Sequence, residues 1–185
     1  MKNIIKIATI LPYKENYTIS KAQAAAIWVC DFFKHSRFKD NNFIFGNTHG
    51  KDYLTKNYIN INISNLKSKL SSSTNEYCKN FIKKTHNDNY DIIEIHNRPL
   101  VFNYLKNQIE TKFILYFHND PISMNGSKSI NERLKLLDEL DKIIFVSKWV
   151  QNRFFEGLDK KLKNKTEVIY PSISKEKKLY KKEKK

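Results

Sequence analysis

The 185-residue chain reads as one α/β domain built on a doubly wound, mostly parallel sheet flanked by helices. Three observations carry this. Short apolar runs over residues 91–96 (DIIEIH), 112–117 (KFILYF) and 142–146 (KIIFV) have the length and β-branched or aromatic content of strands buried on both faces. Each run is followed by a segment with helical apolar spacing. Each also stops abruptly in polar residues, and in parallel sheets of this kind ligands bind in the crevice outside the carboxyl ends of the strands.

The remaining elements follow in order. Residues 4–11 form a first strand that Pro12 ends. Ser20 and Gln23 have capping-box spacing, and Ala22, Ala25, Ala26, Val29, Phe32 and Phe33 supply the apolar stripe of a first helix. Asn41-Asn42 turns the chain into a strand over 43–46, and 58–63 alternates as a short third strand. The segment 71–74 precedes a helix whose face carries Tyr77, Cys78, Phe81 and Ile82. After strand 91–96, Pro99 opens a helix, since a first-turn proline forfeits no helical bond. Strand 113–117 runs into a loop with Pro121 and Gly126, and Ile130, Leu134, Leu137 and Leu140 mark the next helix. Strand 143–146 stops at Ser147, a favourable N-cap for a helix presenting Val150, Phe154 and Leu158. A last strand over 167–170 reaches Pro171. The domain is placed at 1–173, with a disordered lysine-rich tail at 174–185.

The net charge of +15 suggests an anionic partner, but its distribution argues against specific nucleic-acid reading. Residues 175–185 alone hold seven Lys and two Glu, and only four of the 34 basic residues are Arg. Readers of base edges rely on Arg and gather charge into a stripe. Dispersed lysine beside abundant Asn and Ile reads as compositional bias, with weak attraction to anionic lipid head groups. No apolar run approaches the ~20 residues needed to span a bilayer. Cys30 and Cys78 lack disulfide or metal-ligand spacing and read as reduced core thiols. A cytoplasmic protein, peripheral at most to the inner face of the membrane, is expected.

The chemistry-bearing residues gather at strand ends. Glu94 and His96 lie two apart on one strand, so both project from the same face. Glu94 either lines the crevice, holding a hydroxyl or orienting a histidine, or pairs with a basic residue at the sheet end. His118 precedes Asn119-Asp120-Pro121, where it can meet a phosphate or sugar hydroxyl or simply begin a capped turn. Asn97 and Arg98 form a strand-to-helix junction, and Arg suits phosphate or carboxylate recognition. Ser147 lacks the flanking glycines of a nucleophile elbow, which leaves the N-cap reading. No paired histidine spacing supports a metal. The first strand leads into Tyr13, Lys14, Glu15 and Asn16, and 12–26 contains no glycine, so a dinucleotide fingerprint is excluded.

Four segments, IEIHNRP (93–99), YFHNDP (116–121), DKIIFVSKWVQNRF (141–154) and EVIYPSI (167–173), resemble the N-terminal domain of family 4 glycosyltransferases. The resemblance spans nearly the whole chain up to residue 173. It implies a Rossmann-like domain, the acceptor-side half of a GT-B enzyme that retains configuration while moving a hexose from a nucleotide sugar. By the same resemblance His118 lies against the donor sugar as the catalytic residue. Glu94, His96, Asn97 and Arg98 line the acceptor side, and Tyr13, Lys14, Glu15, Asn119, Asp120 and Ser147 line the cleft. The implied co-substrate is a nucleotide sugar of unspecified nucleotide, with no other cofactor, and the acceptor is a glycan or lipid-linked sugar. The family's donor domain carries E-x7-E, which does not occur in these 185 residues. A separately encoded donor domain is therefore an expected partner. The rival from another class is a non-catalytic Rossmann-like module that binds glycan or a protein partner at membrane surfaces.

Overall fold

The computed structural model describes residues 5–63 and 72–171. Seven strands form one parallel sheet in the order β3-β2-β1-β4-β5-β6-β7. They are β1 (Ile7–Ile10), β2 (Asn42–Gly46), β3 (Tyr58–Asn60), β4 (Ile92–His96), β5 (Lys112–Phe117), β6 (Lys142–Phe145) and β7 (Thr166–Val168). The helices are α1 (Ala24–His35), α2 (Ser73–Thr85), α3 (Pro99–Leu105), α4 (Ile130–Glu139) and α5 (Lys148–Phe154). The doubly wound α/β class follows directly from the buried apolar runs.

Period-two side-chain alternation divides the core into two layers. Ile93, Ile95, Phe113, Leu115, Phe117, Ile143 and Phe145 pack with residues of α2 to α5. On the opposite face Leu11, Ile44, Tyr116 and Ile144 pack with Trp28, Val29 and Phe33 of α1. Phe117, Phe145 and Phe154 interlock at centroid distances of 5.2–5.8 Å. Burying each such ring contributes about 1.5–3 kcal/mol. Both cysteines are free and buried.

The chain builds leftward from β1 to β3, then returns to place β4 on the other side of β1. The order therefore reverses between β1 and β4, and the loops leaving these strands diverge to open a crevice.

Several local expectations differ from the structure. The first helix starts at Ala24 with Gln23 at its N-cap and no side-chain cap. Gln23 Oε1 instead accepts from Asn16 N at 3.2 Å, and Ser20 N donates to Asp52. The capping box belongs to α4, where Ser129 and Glu132 bond reciprocally. Along α1, Phe32 is exposed and Trp28 and Cys30 are buried. In α4, Ile130 and Leu134 are exposed while Arg133 and Leu136 join Leu137 inside. The rotation is explained by Arg133, whose guanidinium donates to the carbonyls of Ser127, Lys128 and Glu156 and so turns inward. The third and last strands keep only three residues each, as edge strands do when one partner supplies few ladder bonds. The expected tail at 174–185 and the helix lead at Ser71 lie outside the described residues.

Candidate functional site

Two clefts open at the carboxyl ends of β1, β4 and β5 and share Glu15, Asn97 and Asn119. The first, about 610 Å³, runs between Tyr13, Arg98, Leu100 and the loop carrying Met124, Asn125 and Lys128. The second, about 540 Å³, lies against α1 and is walled by Trp28, Asp31, His118 and Val146.

Asn97 sits at the junction. It adopts φ +53°, the left-handed region that asparagine tolerates better than most residues. Its backbone N donates to Tyr116 O at 2.8 Å, continuing the ladder past the strand end. Its side-chain Oδ1 accepts from His118 N at 2.7 Å and Asn119 N at 3.3 Å. The left-handed turn thus aims one carbonyl at the backbone after β5 and fixes where His118 emerges.

His96 and His118 end neighbouring strands and meet, with His96 Nδ1 2.8 Å from His118 Nε2. The His96 ring is 1% exposed. It stacks on Tyr116 at 4.5 Å with an interplanar angle of 9°. Trp28 closes the cluster, edge-on to His118 at 5.1 Å and tilted on His96 at 5.6 Å. Burial disfavours the imidazolium of both rings, pulling His118 down to about 4. His96 falls well below the usual histidine value, through burial first and the neighbouring His118 second. Both rings are neutral at pH 7.

Glu94 lies one side-chain repeat deeper on the same face. Its half-buried carboxyl accepts from Thr9 Oγ1 at 2.8 Å and Tyr116 OH at 3.1 Å. Desolvation raises its pKa, against the two hydroxyl bonds. It meets hydroxyls rather than a basic partner and lines neither cleft. Tyr116, bonded to Glu94 and stacked on His96, connects this carboxyl to the histidine pair.

Glu15 faces both clefts and accepts from Ala26 N in the first turn of α1 at 3.1 Å. Burial raises its pKa, opposed by the α1 amides and the charge of Arg98. Arg98 is exposed in the first cleft, and among the described residues its guanidinium has no hydrogen-bond or ion-pair partner. Lys14, at φ +67°, turns its ammonium over the Tyr13 ring outside both clefts. Asp120 caps the turn after β5 through Ile122 N and pairs with Arg153. Ser147 Oγ accepts from Val150 N at 3.2 Å as the N-cap of α5. Among the described residues no group of three His, Cys, Asp or Glu side chains is placed to hold a metal ion. No described helix is long and apolar enough to cross a membrane.

Sequence reasoning missed Trp28, which contacts both histidines from a helix whose apolar stripe was read as Ala22, Ala25, Ala26, Val29, Phe32 and Phe33. The one available signal was a Trp directly after the small residues of AAAIWV, one turn from Ala25 and Phe32. It also missed the Met124–Lys128 wall, because loop placement depends on Arg133 and on Gly126 packing against α3.

No family model matches the chain, and no curated protein sequence matches it. Solved structures do. Anabaena HepE in complex with UDP-glucose aligns with a TM-score of 0.62 at 15% identity, over 90% of this chain and 44% of that one. Sucrose-phosphate synthase from Thermosynechococcus elongatus aligns at 0.62 and 12% identity, over 89% of this chain and 48% of that one. A further structure of that synthase aligns at 0.61 and 11% identity, over 91% of each chain. The chain thus spans about half the length of HepE and of the longer synthase structure. At these identities the likeness is one of fold. The seven-stranded parallel sheet and its flanking helices have the architecture of one Rossmann-like half of a GT-B glycosyltransferase.

Proposed function

We propose that this chain is the acceptor-side domain of a retaining, nucleotide-sugar-dependent glycosyltransferase of the family 4 type. It would deliver a glycan or lipid-linked acceptor to a hexose held by a donor-binding domain. The observation that carries this reading is the pair of clefts meeting at Glu15, Asn97 and Asn119, with His118 in one and the unpaired Arg98 in the other. The fold likeness to a protein solved with UDP-glucose supports the same substrate class.

In this reading His118 faces the donor sugar from the α1-side cleft, and Arg98 and Asn97 meet the acceptor in the other. Glu94 and His96 act from beneath, holding Tyr116 and His118. Tyr13, Glu15 and Asn119 line the passage between the two substrates, while Asp120 and Ser147 hold the turns that follow β5 and β6. Catalysis in such an arrangement comes from positioning two substrates and from stabilising the departing diphosphate. The second task falls to the donor-binding domain. A weak peripheral membrane contact, through dispersed lysines, would serve a lipid-linked acceptor.

The test is a titration of the isotope-labelled chain with neutral and lipid-linked oligosaccharides, read by amide NMR, alongside a UDP-hexose turnover assay. Shifts are expected around Arg98, Leu100 and Met124, reduced at least tenfold in affinity by Arg98→Ala, with no UDP-hexose turnover by the chain alone. Turnover of nucleotide sugar by these residues unaided would sink the acceptor-domain reading. Glycan shifts confined to a surface away from both clefts would favour a non-catalytic binding module.

A further inference from the structure

We infer that His96 is a positioning residue: it donates Nδ1–H to His118 Nε2 and thereby fixes His118 as a neutral ring with its proton on Nδ1, presented as a donor to the 540 Å³ cleft. The cleft volume and the membership of His118 in its wall are structural facts. So is the 2.8 Å separation of the two ring nitrogens. Two neutral rings at that distance share one proton between the facing nitrogens, which leaves two arrangements.

In one, His96 carries its proton on Nδ1 and donates, so that its Nε2 is bare. In the other, His118 donates from Nε2, and His96 must carry its proton on its own Nε2. That second nitrogen decides between them. His96 Nε2 is buried without a hydrogen-bond partner. A stranded buried N–H is the rarer and costlier defect, whereas an under-used lone pair is better tolerated. The first arrangement is therefore favoured.

The cleft side agrees. Glu15 and Asp31 lie in the same wall as His118. Two acidic residues around one cavity favour an N–H pointing into it over a second lone pair. Neutrality of both rings at pH 7 follows from their burial.

The consequence rests on the reading of this cleft as a sugar site. His118 supplies a hydrogen-bond donor to a ligand oxygen and does not accept a proton from it. The matching ligand group is a hydroxyl that accepts from His118 and donates its own proton to Glu15 or Asp31, as a polyhydroxylated sugar can.

Ring-nitrogen NMR of the uniformly ¹⁵N-labelled chain at pH 7.5 tests the assignment without any ligand. His118 is expected to show a protonated Nδ1 and a bare Nε2. His96→Asn places an amide N–H near the position of Nδ1 and should keep that pattern. His96→Phe fills the space without a donor and removes the bond that fixes the tautomer, so a detectable fraction of molecules should carry the His118 proton on Nε2, and a His118 pattern unchanged from the wild type would count against the positioning role of His96. A wild-type spectrum with His118 protonated on Nε2 would overturn the inference. If His96→Phe does not fold, the wild-type spectrum decides alone. Because no sugar is present, failure here leaves the acceptor-domain reading standing, and failure of the glycan titration leaves the tautomer assignment standing.

Discussion

Asn97 concentrates the demands of the site on one residue. Its left-handed backbone and its carbonyl bond to His118 N are separable by substitution. Asn97→Ala loses both, and a drop of about 2–3 kcal/mol in unfolding free energy is expected. Asn97→Gly restores the backbone freedom and should recover about 1 kcal/mol of that loss. Urea titration of both variants measures the difference, and equal losses would show that the turn is unstrained. The histidine pair sets a pH dependence of a definite sign. His118 has a folded pKa of about 4, below its ordinary value of 6.5, so its contribution is full above pH 6.5 and is lost as pH falls toward 4. His96 acts in the same direction. Glu94 and Glu15 act oppositely, since their raised pKa values give stability that is full below 4.5 and lost as pH rises above it. Comparing pH 7 with pH 5 by chemical denaturation, His118→Asn should lessen the loss of stability on acidification by on the order of 1–2 kcal/mol. An unchanged loss would mean that the ring is solvated.

Among the elements, caps and loop anchors set local stability. Ser129→Ala removes the capping box of α4, and Ser147→Ala removes the single cap of α5. Each is expected to cost about 1 kcal/mol, or roughly 2–4 °C in Tm for a domain of this size. Gly126 has φ +89°, and an added Cβ would stand 3.1 Å from both Pro99 Cβ and Leu100 Cδ2. Gly126→Ala should therefore both destabilise the chain and push the Met124–Lys128 wall away from α3. Amide NMR would register this as shifts along residues 122–128, and shifts confined to residue 126 would count against the packing argument. How much of these elements could be foreseen varied with their chemistry. Ser147 was legible because Ser directly after an apolar run has a local job. The α1 and α4 faces were not, because Trp28 is held inside by rings of His96, Tyr116 and His118 and Arg133 by carbonyls of two separate loops. Arg133 joins carbonyls of residues 127, 128 and 156, which no spacing rule connects.

At the scale of the whole molecule, the charge of +15 comes from 34 basic residues against 19 acidic ones, and residues 175–185 supply +5 of it. Binding to vesicles containing anionic lipid should be weak and fall steeply as the ~8–10 Å screening length at physiological salt shortens. Removing residues 174–185, which contain the +5 of the lysine-rich segment, should weaken vesicle co-sedimentation several-fold. Binding that survives high salt would instead implicate exposed apolar side chains such as Trp149 and Ile27.

The sequence by itself determined the fold class, the strand-helix order and the identity of the polar residues at the strand ends. These are encoded locally, in apolar run length, period and the residue types that stop a strand. Tertiary structure alone decided which of those residues meet. Parallel register set His96 beside Tyr116 and brought His118 within hydrogen-bonding distance of His96. The reversal of strand order beside β1 placed Glu15 and Trp28 against residues some 70 to 100 positions later. Such meetings depend on crossover paths and on side-chain packing between layers, and neither leaves a period in the sequence.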